Sequence, residues 1–263
     1  MKSKFKAAIM GAAAILAIGA GLSSPFARKV QAQTPELRVM VSDGMKPAVE
    51  ELTPQIEHAT GRKLTAQFNS SKNLRDKILA GEPFDAAILT SDVIDGLIQQ
   101  GKIASAGRAE IGRTGIGVGV RAGAPKPDIA TPEALKQTLL NAKSITFNPS
   151  GASAVHLYEM FERMKITDAV KPKLMLPTDP GRPQMNVADG KAELVLTLIP
   201  EIKFFPGVEL VGPFPAEYQT YINSAAGIAA NAHDAEGAKA LIAFITSPAA
   251  ASVLRAKGVE PHK

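Results

Sequence analysis

SITFNPSGASAVHLYEMFERMK, residues 144–165, reads as strand, small-residue turn and helix in immediate succession. Ser144 to Phe147 suit a short buried strand and Asn148 to Gly151 a turn, and from Ser153 onward Val155, Leu157, Met160, Phe161 and Met164 fall on one apolar stripe. A turn of this kind leaves several backbone N–H groups at a helix start without partners. An anion can rest against them, with the hydroxyls of Ser150 and Ser153 as added donors, although either serine can equally act as a plain helix cap.

Working outward, the same arrangement recurs. Leu37 to Val41 form a first strand, broken by Ser42-Asp43-Gly44 before a helix that opens near Lys46-Pro47 and closes at Gly61. Leu64 to Phe68 give a second strand, and Asn69-Ser70-Ser71 leads into a helix with Leu74, Ile78 and Leu79 that Gly81 ends. Phe84 to Leu89 and a helix capped by Thr90-Ser91-Asp92 follow, the latter stopping at Gly101. Beyond the central stretch come predicted strands at Lys173 to Leu176, Glu193 to Ile199, Val208 to Val211 and Tyr218 to Ile222. A helix through Met185 and Val187 sits among them, and helices at Ala235 to Ile245 and from Ser247-Pro248 to Lys257 close the chain. Regular alternation of strand and helix predicts an α/β protein with mostly parallel sheets, its functional turns at the carboxyl ends of the strands.

The amino terminus has a different character. Lys2, Lys4 and Lys6 precede an apolar run from Ala7 to Leu22, and Val30-Gln31-Ala32 supplies small residues at a peptidase site. Residues 1–32 are therefore expected to be a secretory signal peptide cut after Ala32, which leaves a periplasmic chain of 231 of the 263 residues. The leader holds five of the 30 basic residues and no acidic one, so 25 basic residues remain against 25 acidic ones and the formal net charge falls to zero. A basic surface for nucleic acid loses its support, and no nucleic-acid partner is expected. The absence of cysteine excludes disulfides, thiol catalysis and thiolate metal sites. Few aromatic residues and no tryptophan argue against a sugar-stacking cleft. IGRTGIGVGVRA, residues 111–122, spaces its glycines as G-x-G-x-G inside a β-rich stretch with no helix after it, so it reads as a bendable strand and not as a dinucleotide fingerprint.

Four segments, LRVMVSDGM, FNSSKNLRDKILAGEPFDAAI, the central stretch with its ERMKI, and AKALIAFITSPAAASVLRAKG, resemble the molybdate-binding type of solute receptor for ABC importers, within the type II periplasmic binding proteins. The resemblance spans Leu37 through Gly258. It implies two α/β lobes joined by two crossover strands: residues 37–117 plus 223–263 as lobe one and 118–222 as lobe two. The crossovers would lie near Gly117 to Arg121 and Tyr218 to Ile222, with the glycines serving a hinge. It also implies a small anionic ligand, a permease in the inner membrane as partner, a monomer, and no cofactor or metal.

Carried over by position, the family's second site serine matches Ser71 beside Ser70, and its backbone turn matches Gly151, Ala152 and Ser153. The first site serine falls on Gly44, flanked by Ser42 and Asp43, and the site tyrosine falls on Leu198, beside Thr197. Asp43 would repel a dianion unless paired or protonated, which keeps open a small organic carboxylate that Arg75, Arg113 or His156 could reach. Catalysis is not expected. The one hydrolase arrangement on offer, Ser153 with His156, lacks the closing glycine of a nucleophile elbow, and His58, His156, His233 and His262 are scattered.

Overall fold

The computed structural model describes residues 35–177 and 182–262, so the leader and its cut after Ala32 lie outside the described residues. Strand β1 (Glu36–Ser42) leads through a single 3-10 turn into α1 (Lys46–Thr60), which Gly61 ends with a φ of 65°, a left-handed conformation that glycine adopts without strain. β2 (Lys63–Asn69), α2 (Ser71–Leu79), β3 (Ala86–Thr90) and α3 (Ser91–Gln99) follow in strict alternation. Then comes the long β4 (Ile103–Arg121), α4 (Pro132–Asn141), β5 (Ile145–Thr146) and α5 (Ala154–Arg163). The chain continues with α6 (Thr167–Val170), α7 (Pro183–Ala188), β6 (Leu194–Leu198), α8 (Ile199–Lys203), β7 (Val208–Pro213) and β8 (Tyr221–Ala229). It closes with α9 (Ala235–Ile245), α10 (Pro248–Ala256) and β9 (Glu260–Pro261).

The strands make a sheet in the order β2-β1-β3-β8-β4-β6-β5, with β7 and β9 also pairing with β4. It is a mixed sheet. β1 pairs in parallel with β2 and β3, and β5 in parallel with β6, as strand–helix–strand connections require. β8 inserts antiparallel between β3 and β4, and β4 is antiparallel to β6, β7 and β9. The expectation of mostly parallel sheets therefore holds for the helix-linked strands and fails along β4 and β8. β4 runs through both parts of the sheet, pairing with β8 up to Gly115 and with β6 from Ile116.

Helices cover both faces, which is why β1 and β3 read as nearly unbroken apolar runs. Val39 and Val41 pack on one side with Val49 and Leu52 of α1, Leu241 of α9 and Leu254 of α10, while Met40 packs on the other with Leu74 of α2 and Leu97 of α3. Around β5 and β6 a separate core forms from Phe147, Leu157, Phe161 and Leu196, with Val195, Val187 and Ile202 on the opposite face. Each such side chain taken fully out of water stabilises by about 1.5–3 kcal/mol. Asp85 is the polar anchor of the first part. Burial pushes its carboxyl group up, but hydrogen bonds from the Arg38 side chain and backbone and from the Asp234 N–H override this and hold it below the usual carboxylate range.

Three local expectations are corrected. Val155 is 64% exposed, because Ala154 opens α5 and Val155 falls on the solvent face with Glu159 and Glu162, while Leu157, Met160, Phe161 and Met164 are buried. Lys173 to Leu176 is not a strand: residues 171–173 make a 3-10 turn that takes in Lys173, and among the described residues only Leu174 bridges Ile145, with the Met175 N–H donating to the Ile145 carbonyl. Tyr218 lies in a turn whose Tyr218 and Gln219 N–H groups both donate to the Pro215 carbonyl at 2.9 Å, so β8 begins at Tyr221.

Candidate functional site

β1, β2, β3 and β6 each end where a helix or helical turn begins, and those ends converge on one cleft of about 900 Å³. From the first part of the sheet Ser42, Asp43, Gly44, Ser70 and Ser71 line it, together with Asn69 and Thr90. From the second come Asn148, Gly151, Ala152, Ser153, Arg182, Gln184, Thr197, Leu198 and Glu201. Thr114 of β4 and Ser224 of β8 line it as well.

The helix starts present usable donors. At α2 the cap is Ser70, whose hydroxyl accepts from the Asn73 N–H at 3.3 Å, and Ser71 Oγ accepts from the Thr90 N–H at 3.1 Å. With a lone pair of Ser71 so engaged, its own O–H is left to donate. The Ser71 and Lys72 N–H groups, and those of Ala152 and Ser153 before α5, have no acceptor among the described residues. Neither is Ser153 a side-chain cap for its helix. The central stretch thus presents bare amides to the cleft, as a turn of small residues permits.

Carboxyl groups also meet here. Glu201 stands in the first turn of α8, where Oε2 accepts from Thr197 Oγ1 at 2.5 Å and from Gln184 Nε2 at 3.4 Å, while Oε1 has no hydrogen bond from the described residues. Burial, with the nearby Asp43 carboxylate adding to it, pushes Glu201 up to about 7 against the opposing bonds from Thr197 and Gln184. Burial also raises Asp43, with Arg182 and Lys46 opposing. Gly44 and Leu198 face one another: a β-carbon on Gly44 would stand 2.6 Å from Leu198 Cδ1 and 3.8 Å from Glu201 Oε1. The two positions where the resemblance calls for hydroxyl donors are filled instead by a close glycine–leucine contact with a carboxyl group beside it.

The structure gathers nine of the sequence-derived site residues, Ser42, Asp43, Gly44, Ser70, Ser71, Gly151, Ala152, Ser153 and Thr197, and leaves two outside. Ser150 lies outside the lining because its N–H folds back on Asn148 Oδ1 at 2.9 Å in the turn. His156 points away from the cleft on α5, 3.6 Å from Glu159, and no hydrogen bond joins it to Ser153 among the described residues, so the hydrolase pairing is not assembled. Thr197 has a changed partner, its hydroxyl being given to Glu201. The two arginines weighed for a carboxylate are used elsewhere: Arg75 pairs with Asp76 at 2.8 Å, and Arg113 pairs with Glu260 at 2.8 Å over the Tyr221 ring. Arg182, Gln184 and Glu201 went unread in the sequence. The available signal was Pro200, which suits the first turn of a helix as well as the end of a strand and would have placed Glu201 at a helix start in the cleft.

With this geometry in view, the family model for bacterial extracellular solute-binding protein matches residues 37–260. The chain belongs to that family. Among relatives of this solute-binding protein, an aconitate isomerase from Pseudomonas sp is 30% identical over 253 residues, covering 94% of this chain and 95% of that protein. The molybdate-binding protein ModA of Azotobacter vinelandii is 25% identical over 254 residues, covering 93% and 95%. The solved periplasmic molybdate-binding protein of Azotobacter vinelandii superposes with a TM-score of 0.71 at 18% identity, over 86% of this chain and 100% of that one. The fold of this solute-binding protein is accordingly the type II periplasmic one, with a mixed sheet flanked by helices.

Proposed function

We propose that this solute-binding protein takes a small polycarboxylate, of the class that includes aconitate, in the cleft between a lobe of residues 37–117 plus 223–263 and a lobe of residues 118–222. In this reading it works in the periplasm, as a monomer that delivers its ligand to an inner-membrane ABC permease. The observation that carries the ligand class is the Gly44–Leu198 contact with Glu201 at its edge. Side-chain hydroxyls for a tetrahedral dianion are absent from both positions, and a carboxyl group that keeps its proton near neutrality stands there instead. A protonated carboxyl donates a hydrogen bond to a carboxylate or hydroxyl oxygen. Arg182, Lys46 and the bare amides at Ser71, Lys72, Ala152 and Ser153 supply positive potential for the remaining ligand carboxylates. A cleft of about 900 Å³ has room for several such groups at once. The name of the Pseudomonas relative agrees with this class.

A second reading, binding of a molybdate-like oxyanion, is favoured by the same bare amides and by the Azotobacter relative. A thermal-shift screen of the purified protein separates the two. Its panel is molybdate, tungstate, sulfate, phosphate, cis- and trans-aconitate and a set of mono- and dicarboxylates. A ligand at 1,000 times its Kd adds about 4 kcal/mol of stability. The polycarboxylates are expected to raise Tm, with tetrahedral anions having little effect. A rise with molybdate and tungstate alone would overturn the polycarboxylate reading in favour of the oxyanion.

A further inference from the structure

Recognition of an anion uses Glu201 only as a protonated donor and gives no reason to set the Asp43 carboxyl group beside it, since that adds repulsion. Their arrangement supplies one. Glu201 is held by a single oxygen: Oε2 takes the Thr197 hydroxyl and the Gln184 amide, which fixes the plane of the carboxyl group and leaves Oε1 facing the cleft beside Gly44. A β-carbon on Gly44 would stand 3.8 Å from Oε1, behind the Leu198 side chain at 2.6 Å, so a ligand lying over the turn at residues 43–45 approaches Oε1 past the edge of Leu198. Asp43 is the adjoining carboxyl group on the other side of the cleft. The other charged groups lining the cleft are Lys46 and Glu50 of α1, which pair with each other at 3.6 Å, Arg182 ahead of α7, and Asp189 after it.

We propose that Glu201 is a catalytic proton carrier that moves a double bond within the bound polycarboxylate, and that Asp43 is a positioning residue that keeps the proton on Glu201. This inference rests on the polycarboxylate reading above. A methylene flanked by a carboxylate and a carbon–carbon double bond is the group acted on. In its ionised form, which coexists with the protonated one near neutrality, Glu201 takes the methylene proton on Oε1, the C–H bond breaks, and the electron pair spreads over three carbons and into the attached carboxylate. Glu201, whose newly bound proton trades with solvent before it is given up, delivers a proton to the far carbon, a new C–H bond forms there, and the double bond ends one position along. Atoms and electrons balance without an oxidant or co-reactant. Arg182 and the bare amides before α5 face the carboxylate oxygens on which the charge develops, where fixed dipoles and a cation lower its cost. The raised proton affinity of Glu201, near neutrality, is the one that serves both removal and return of a proton.

The test is proton exchange in deuterium oxide. The full chain is incubated with cis-aconitate and followed by proton NMR, while the rise in Tm with cis-aconitate reports binding separately. Loss of the ligand's methylene and vinyl proton signals, with growth of trans-aconitate, is expected for the unaltered protein. E201Q should still show the rise in Tm and lose exchange by about 100-fold or more. D43N should move the lower limb of the pH–rate profile to more acid pH, which a merely structural role for Asp43 would not do. If E201Q does not fold, E201D carries the same test, because shortening the side chain by one methylene withdraws Oε1 and must slow exchange. Binding without exchange, or exchange that survives E201Q and E201D unchanged, overturns the inference and leaves the polycarboxylate receptor intact. No rise in Tm with either aconitate isomer and no exchange would remove the receptor reading and this inference together.

Discussion

Glu201 and Asp85 show how the same kind of group is driven in opposite directions by its hydrogen bonds. Asp85 collects the Arg38 guanidinium and the N–H groups of Arg38, His233 and Asp234, and remains ionised although fully buried. Glu201 has one hydroxyl and one distant amide, and a neighbouring carboxylate besides. Its pKa rises from 4.5 to about 7. The consequence for stability follows from proton counting. Below about pH 4.5 both folded and unfolded chains hold the proton, and no penalty exists. Between that and about 7 the unfolded chain releases it while the folded one retains it, so stability falls as pH rises, and above 7 the penalty is complete. A shift of this size corresponds to about 3 kcal/mol at most, and contact of Glu201 with cleft water reduces it to about 1–2 kcal/mol. E201Q, which has no charge to bury, is therefore expected to exceed the unaltered protein in Tm at pH 8 and to match it at pH 4.5, both without ligand. Equal Tm values at pH 8 would show that Glu201 ionises freely.

At the scale of elements, β4 explains what the glycines between residues 112 and 119 are for. None has a positive φ, so conformational freedom is not the reason they are there. A β-carbon on Gly117 would lie 2.7 Å from the Gly212 carbonyl oxygen of β7, and one on Gly112 would lie 2.3 Å from the Glu260 carbonyl oxygen of β9. Backbone cannot yield as a side-chain tip can. G117A is expected to cost about 1–3 kcal/mol in urea unfolding, whereas G212A changes a strand residue of β7 without a positive φ, whose β-carbon would meet Ile129 Cδ1 at an ordinary 3.5 Å, and is the control for backbone effects alone. Equal losses for the two would refute the close-approach explanation. This shows what the sequence could and could not disclose. The period of apolar residues and the glycine and proline stops located α1, α2, α3, α9 and α10 closely, because each buries one stripe on a sheet. Serines at strand ends marked Ser71 and Ser153 as cleft residues, since local capping chemistry is written in neighbouring positions. Pro200 marks Glu201 only as a first-turn residue, and nothing local marks Arg182, because what each meets depends on β6 and α7 lying against residues more than a hundred positions away. In the sequence Gly44 and Leu198 show only as departures from the family's site positions. Their mutual contact is a tertiary fact.

For the whole molecule, the decisive property is that donors and carboxyl groups come to the cleft from both parts of the sheet. Asp43, Ser71 and the Lys72 amide belong with β1, β2 and β3, whereas Ala152, Ser153, Arg182 and Glu201 belong with β5 and β6. β4 and β8 connect the two, and their ladder stops where Ile116 leaves it. There the Gln219 side chain stands in for a strand, accepting from the Ile116 N–H at 2.8 Å and donating to its carbonyl at 3.0 Å. A side chain takes the place of a β8 partner for Ile116, so in the two-lobe reading proposed above this is the point at which the two parts would change their angle. In that reading a ligand that contacts both parts would bind a closed arrangement better than an open one. Moving such an equilibrium from 1:99 to 99:1 takes about 5.5 kcal/mol of differential affinity. A polycarboxylate with groups for Arg182, the α2 start and the α5 start has enough contacts to supply it. Saturating cis-aconitate is therefore expected to reduce the radius of gyration in small-angle scattering. In hydrogen exchange it should slow the Ser71, Lys72, Ala152 and Ser153 amides together. Protection of the α2 pair alone, with an unchanged radius, would mean that the ligand sits on one part of the sheet and that closure is not its consequence.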